Sequence, residues 1–140
     1  MSTRLEPPTT EASQTFWDAT KEQRYLVQWC TSPTHDAQPV FYPRDVCPNC
    51  LSAQHLEWRE SNGTGTVHAV SVQYRPANPM MADKVPYAVA LVDLHDGVRV
   101  MTNVVNCDPI TVTVGQPVQL TWEPLSDGRN LPLFEPAKES

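Results

Sequence analysis

One stretch limits the fold more than any other: WCTSPTHDAQPVFYPRDVCPNC, from Trp29 to Cys50. Its end is a CxxC turn, Cys47-Pro-Asn-Cys50, and such a turn brings two sulfurs to a single ion. Cys30 stands upstream, with sixteen residues between it and Cys47. This is the plan of a zinc ribbon, short strands joined by two ligand-bearing turns. A module of that size has almost no apolar core, and a metal usually holds it together. The first turn is altered, however. Pro33 stands where the second cysteine of the first pair belongs, and it has no donor atom. The nearest usable ligand is His35, five positions after Cys30, and the strands must bulge to admit it; Asp36 is a weaker choice. Two expectations stay open. Either Zn2+ is held in a structural role by Cys30, His35, Cys47 and Cys50, or the ribbon is empty and stands by packing. A redox role for Cys47-Pro-Asn-Cys50 has no thioredoxin-like βαβ pattern around it. Cys107 lies far along the chain and reads as a small buried apolar residue.

Around that stretch the chain divides. Residues 1–24 read as a flexible arm, 1–12, followed by a short helix from Ser13, a candidate N-cap, to about Arg24. Phe16 and Trp17 give the helix an apolar stripe. So short a helix is marginal in water and must dock, on its own chain or on a partner. Residues 25–61 are the ribbon, with strands at Tyr25–Cys30, Phe41–Tyr42 and Leu56–Glu60. NGTGT, Asn62–Thr66, is a turn signal. In residues 62–140, Thr66–Tyr74 alternates, Tyr87–Leu94 is apolar on both faces like a central strand, Val98–Val105 pairs back across a hairpin turn, Ile110–Val114 alternates, and Val118–Trp122 is the last strand. Five strands at this spacing suit a small Greek-key barrel of the OB type. The predicted class is therefore mainly β: an N-terminal helix, a small zinc-ribbon module and a C-terminal five-stranded OB-fold. The apolar segment NLPLFEP, Asn130–Pro136, is expected to lie across the barrel or to reach a partner.

Function classes fall away next. The formal net charge is −6, and the ten basic residues are scattered. Phosphate binding needs a cationic stripe, so nucleic acid is not an expected partner, although OB-folds and ribbons often bind it. The N-terminus has no apolar signal region and no stretch is long enough to span a membrane, which points to a cytoplasmic protein without a membrane partner. No GxSxG, HExxH, P-loop or GxGxxG is present. His68 is expected on an apolar row as a core or interface residue, and Asp93 and Asp96 flank a hairpin turn as solvated carboxylates. The chain offers no catalytic set. Its contact candidates are Phe16 and Trp17 on the helix, Met80 and Met81 on the proline-rich loop Arg75–Pro86, and Leu133 and Phe134 in the tail. Adjacent methionines on a loop suit adaptable contacts, or else they pack on the barrel itself.

Several segments together resemble a known family: FWDATKEQRYLVQWC, FYPRDVCPNC, NGTGTVHAVSV, PYAVALVDL, MTNVVNCDP and LPLFEP. In their order and spacing, from Phe16 to Pro136, they are similar to OB-fold acyl-CoA-associated proteins with an N-terminal rubredoxin-like zinc ribbon. The resemblance implies a non-catalytic subunit that joins a thiolase-fold acyl-CoA enzyme in a heterotetramer. It implies that this subunit stabilises the partner and helps shape its acyl-CoA site, for thiolysis, acyl transfer or retro-aldol cleavage of steroid side chains. An acidic subunit would leave most CoA thioester contacts to the partner, with Arg44, Arg75 or Lys84 able to add one. The alternatives are a stand-alone acyl-CoA-binding protein and an OB-fold nucleic-acid-binding module.

Overall fold

The computed structural model describes residues 6–138, so residues 1–5 of the expected arm and the last two residues lie outside the described part. Helix α1 covers Gln14–Thr20. It is shorter than expected because Gln23 adopts a left-handed φ of 57° and turns the chain, letting the Arg24 N–H bond the Ala19 carbonyl at 3.1 Å. Ser13 occupies the cap position but makes no cap bond to the helix. Its hydroxyl accepts from the Thr10 N–H at 3.0 Å instead, closing the preceding turn.

The helix docks on its own chain. Phe16 meets Trp17 and Tyr25 edge to face, with ring centroids 5.2 and 5.3 Å apart. Thr20 is fully buried, and its hydroxyl accepts from the Asn130 N–H at 3.2 Å while its carbonyl accepts from Asn130 Nδ2 at 2.8 Å. The arm is also held. Glu6 accepts from both the N–H and hydroxyl of Ser126, and Arg129 donates to the Pro7 carbonyl at 2.9 Å while lying 4.9 Å over the Trp17 ring. The expectation of a flexible arm is therefore corrected for residues 6–12.

Three antiparallel strands make the ribbon sheet, in the order β2-β1-β3: β1 Leu26–Cys30, β2 Gln38–Val40 and β3 Leu56–Glu60. The strand expected at Phe41–Tyr42 ends just before it. There the two rings stack on each other at 4.2 Å, and the Gln28 side chain takes the Arg44 N–H at 2.8 Å and gives to the Arg44 carbonyl at 3.1 Å. Those two bonds draw the chain off the sheet.

The second sheet is a closed barrel in the order β4-β5-β6-β8-β7, the OB topology. Its strands are β4 Thr64–Gln73, β5 Tyr87–Leu94, β6 Arg99–Val104, β7 Pro117–Pro124 and β8 Asn130–Pro136. The NGTGT turn needs its glycines. Gly63 has φ +73°, and a Cβ on Gly65 would stand 2.5 Å from the Asp93 carbonyl oxygen. A bulge between Val67 and Ala69 shifts the register of β4. It turns His68 outward to Asp93, 3.6 Å away, correcting its expected place on the apolar row.

Two segments exchange roles relative to expectation. Ile110–Val114 alternates but is not a strand. Pro109–Thr111 is a 3₁₀ turn capped by Asp108, and Ile110 and Val114 are exposed. The fifth strand is Asn130–Pro136. Leu133 and Phe134 are 4% and 1% exposed; Phe134 points into the barrel core, and Leu133, on the opposite face of the strand, lines a surface cavity with Tyr87 and Val89. The prolines hid this strand. Leu125 N–H bonds the Arg129 carbonyl and Ala137 N–H bonds Pro117, so the odd-numbered residues carry the ladder to β7. Pro132 and Pro136 thus owe β7 no N–H. Phe16, 9% exposed, is likewise core; it joins Tyr25, Val27, Val92, Val118 and Phe134 in one apolar cluster that links helix, ribbon sheet and barrel. No helix among the described residues is long and apolar enough to cross a membrane.

Candidate functional site

Four donors meet at the far side of the ribbon sheet. Cys30 ends β1, His35 stands in the turn that leads to β2, and Cys47 and Cys50 flank the second knuckle. Their ligand atoms lie within 4.8 Å of one another. Cys30 Sγ is 3.8 Å from Cys50 Sγ; His35 Nε2 is 3.5 Å from Cys30 Sγ and 3.7 Å from Cys47 Sγ. A tetrahedral zinc with bonds of about 2.3 Å to sulfur and about 2.0 Å to nitrogen needs edges of about 3.8 Å between sulfurs and about 3.6 Å from nitrogen to sulfur. The spacing fits such an ion, and the cluster can hold a metal.

Local structure explains how His35 replaces the missing cysteine. Cys30 pairs with Gln38, so the connection between β1 and β2 is long, and the Ser32 hydroxyl accepts from the Thr34 N–H at 3.3 Å to curl it back. His35 Nδ1 donates to the Asp36 carbonyl at 2.7 Å. That bond fixes the tautomer and leaves Nε2 free as a ligand. Asp36 thus serves through its main chain, and its carboxylate is not part of the cluster. In the second knuckle the Asn49 N–H reaches Cys47 Sγ at 3.4 Å and the Leu51 N–H bonds the Cys47 carbonyl at 2.8 Å. Leu51 takes φ 59° to make the turn.

Within the cluster the imidazole and the Cys50 thiol shift in opposite directions. His35 is pushed up to about 9, first by the Asp36 carbonyl and then by the Cys50 sulfur. Cys50 is lowered to about 6, first by the Ser52 amide, with His35 contributing. Burial pushes Cys30 up; it pushes Cys47 up too, but the Cys50 and Asn49 amides bring that thiol down. The donor set is three sulfurs and one imidazole. All four positions are protein-supplied, and Cys30 and Cys47 are fully buried, which is the arrangement of a structural site and leaves no open position for substrate.

The other predicted contact residues disperse. Met80 is 42% exposed and sits in a 3₁₀ turn capped by Asn78, whose side chain accepts from the Met80 N–H at 3.0 Å. Met81 is half-buried beside it. Trp17 is half-buried under Arg129, while Phe16, Leu133 and Phe134 belong to the core. Gln28 was not anticipated. A glutamine in the apolar run LVQWC was the available signal, and its two bonds to Arg44 show why it is buried there.

Comparison with known proteins agrees with this architecture. The family described as "ChsH2, C-terminal OB-fold domain" matches residues 58–123. A "Probable enoyl-CoA hydratase alpha subunit" of Thermomonospora curvata is 35% identical over 93% of this chain and 39% of its own length. A "3-oxo-4,17-pregnadiene-20-carboxyl-CoA hydratase alpha subunit" of Mycobacterium tuberculosis is 28% identical over 84% of this chain and 36% of its own. The chain therefore spans less than two fifths of the length of these relatives. Among solved structures, a chain of the "Ltp2-ChsH2(DUF35) aldolase" superposes with a TM-score of 0.82 at 32% identity, covering 95% of this chain and 100% of that one.

Proposed function

The chain belongs to the ChsH2-type (DUF35) family of OB-fold proteins, and on that premise we propose that it is the non-catalytic subunit of an acyl-CoA-processing complex whose reacting groups lie on a thiolase-fold partner. The likeness to the aldolase component carries this reading, because there the match covers 95% of this chain and 100% of that one. The hydratase names belong to proteins of which this chain is a minor part, so they say less about its own chemistry. The reaction we propose is retro-aldol cleavage of a β-hydroxyacyl-CoA, in a heterotetramer of two such chains and two partner subunits. Among the described residues no nucleophile, base and orienting group converge: His68 pairs with Asp93, His95 with the Thr64 hydroxyl, and His35 with the cysteines.

In this reading the four donors hold structural zinc. Zinc would tie the two knuckles and keep β1 and β2 in place, and no chemical step runs through it. The acidic chain leaves the CoA phosphates to the partner. Met80, exposed on its loop, is the contact residue retained from the sequence; Met81 beside it and Trp17 on the helix are half-buried.

Co-expression with a thiolase-fold subunit is the test. The two should co-elute, with about one zinc bound per copy of this chain. Cleavage of a β-hydroxyacyl-CoA should need both. Turnover by this chain alone, free of any companion, would refute the proposal.

A further inference from the structure

Strand β3 pairs with β1 alone, so its other side is a free edge of the ribbon sheet. The ladder fixes which groups lie on that edge. Just past the two ends of β3, the Ser61 N–H bonds the Tyr25 carbonyl and the Thr31 N–H bonds the His55 carbonyl. The odd-numbered residues of this segment therefore face β1. The N–H and C=O groups of Leu56, Trp58 and Glu60 point the other way, and no backbone group among the described residues bonds them. Such an edge is a template for another strand, and charges of one sign are a common defence against it. Here the signs alternate. Glu57 and Arg59 are both exposed on one face of β3, with Nε and Oε2 2.9 Å apart. Arg59 lies 4.4 Å from the centre of the Trp29 ring, which holds the guanidinium close to the strand. The third charge, Glu60, is answered within its own chain by Arg24 at 2.9 Å.

We propose that this edge is a self-association site, at which β3 pairs antiparallel with β3 of a second copy about a two-fold axis at Trp58. Charge selects the register. With Trp58 opposite Trp58, Glu57 stands opposite Arg59 of the second copy, and Arg59 opposite its Glu57. These are the non-hydrogen-bonded positions of the new ladder, where Cα atoms approach to about 4.5 Å and side chains meet most closely. Trp58 with Trp58, and Leu56 with Glu60, take the hydrogen-bonded positions, so every free N–H and C=O of the edge finds a partner. An axis at residue 57 would set Glu57 against Glu57, and one at residue 59 would set Arg59 against Arg59; like charges directly opposite are destabilising. An axis between two residues would set edge-facing groups against groups already bonded to β1. On the opposite face the half-buried Trp58 meets its own copy across the axis as an aromatic cross-strand pair. The contact is isologous and closes after two chains, joining both ribbons into one sheet. It stands apart from the acyl-CoA reading, since it needs no other subunit.

The test is sedimentation velocity on the zinc-loaded full chain over a concentration series. A strand of five residues buries less than the roughly 1,200 Å² of a stable complex, so a monomer should give way to a dimer with a dissociation constant on the order of 10–100 µM. Glu57→Arg sets arginine against arginine at both positions, and Arg59→Glu sets glutamate against glutamate. Each should weaken the dimer at least about tenfold. An equal mixture of these two variants should dimerise again, because only the mixed pair brings opposite charges together, and the double variant Glu57→Arg with Arg59→Glu should dimerise like the wild type. Loss of fold cannot produce recovery on mixing. Should Arg59→Glu fail to fold without its stack on Trp29, Arg59→Gln replaces it in the mixture, with partial recovery expected. A monomer up to about 1 mM, a dimer indifferent to Glu57→Arg, or no recovery in the mixture would overturn the assignment. If the chain alone stays monomeric and Glu57→Arg instead abolishes co-elution with the thiolase-fold subunit, the edge belongs to a strand of that subunit; the self-association site then falls and the subunit reading stands.

Discussion

The two sheets of this molecule are stabilised by different means. The barrel closes on itself and buries Val67, Ala90, Val92, Val100, Val118 and Phe134 against one another. Burial of such side chains is worth about 1.5–3 kcal/mol each, so the barrel carries its own stability. The ribbon sheet has three strands, and the one apolar cluster of its own is Cys30, Val40 and Cys47, with Cys50 and Leu56 alongside. Most of that cluster is cysteine sulfur of the four-donor group. The ribbon's larger apolar residues, Tyr25 and Val27, point the other way and join the barrel's core. One face of this small sheet thus leans on the barrel, and the other is organised by the four donors with little beside them but Val40, Leu56 and the Gln28–Arg44 bonds.

That contrast can be broken most directly at the metal. Chelation, or Cys47→Ser, should abolish zinc binding and strip hydrogen-exchange protection from residues 38–56, while β4–β8 keep theirs. Structural zinc contributes about 10–16 kcal/mol in isolated finger peptides, so this is the largest effect expected. Equal protection in both sheets after zinc removal would show that packing alone holds the ribbon. Next in size, Phe134→Ala should cost about 3–5 kcal/mol in denaturant unfolding and leave zinc content unchanged. A loss of zinc in that variant would mean that the two sheets fold as one unit. A smaller effect is expected from Asn130→Ala, which removes the Nδ2 bond between β8 and the Thr20 carbonyl but leaves that carbonyl its Gln23 N–H at 2.9 Å, at about 0.5–1.5 kcal/mol.

The smallest effect lies on the barrel's surface. The Arg99 guanidinium, 2.6 Å away, holds the Asp93 carboxyl below the usual carboxylate range. A depressed carboxylate stabilises the fold above its unfolded-state pKa, and the contribution is lost as pH falls through the lower folded value. Arg99→Gln should therefore lower stability slightly at neutral pH, the difference should vanish as pH falls through the range where Asp93 is protonated, and high salt should shrink it because the pair is exposed. A change at neutral pH in high salt would refute a purely electrostatic role.

Legibility in the sequence followed the same division. The ribbon was readable because ligand chemistry is local: a CxxC turn fixes two donors by itself, and His35 was the first residue after Cys30 able to supply nitrogen. The strand expected at Thr66–Tyr74, found at Thr64–Gln73, was readable from alternation, and Tyr87–Leu94 from a run apolar on both faces. Alternation misled at Ile110–Val114, where Asp108 caps a turn, and it was masked at Asn130–Pro136, where two prolines sit at positions that need no N–H. His68 was misplaced because a bulge, invisible in a pattern of apolar residues, reverses the faces of β4.

By itself the sequence determined the kinds of atoms available: three sulfurs and an imidazole within one short stretch, an apolar alternation that must curl into a barrel, and a net negative surface. Only the tertiary structure decided what met what. An aromatic-lined cavity between α1, residues 41–43 and strands β6 and β8 is assembled from positions 16, 17, 25, 41, 42 and 134, and no local rule relates them. They converge because the helix has a face too short to stand alone, and the surface that covers it is a strand formed at the other end of the chain. Short-range chemistry can be read along a chain, whereas a cavity is a property of surfaces that the chain brings together from a distance.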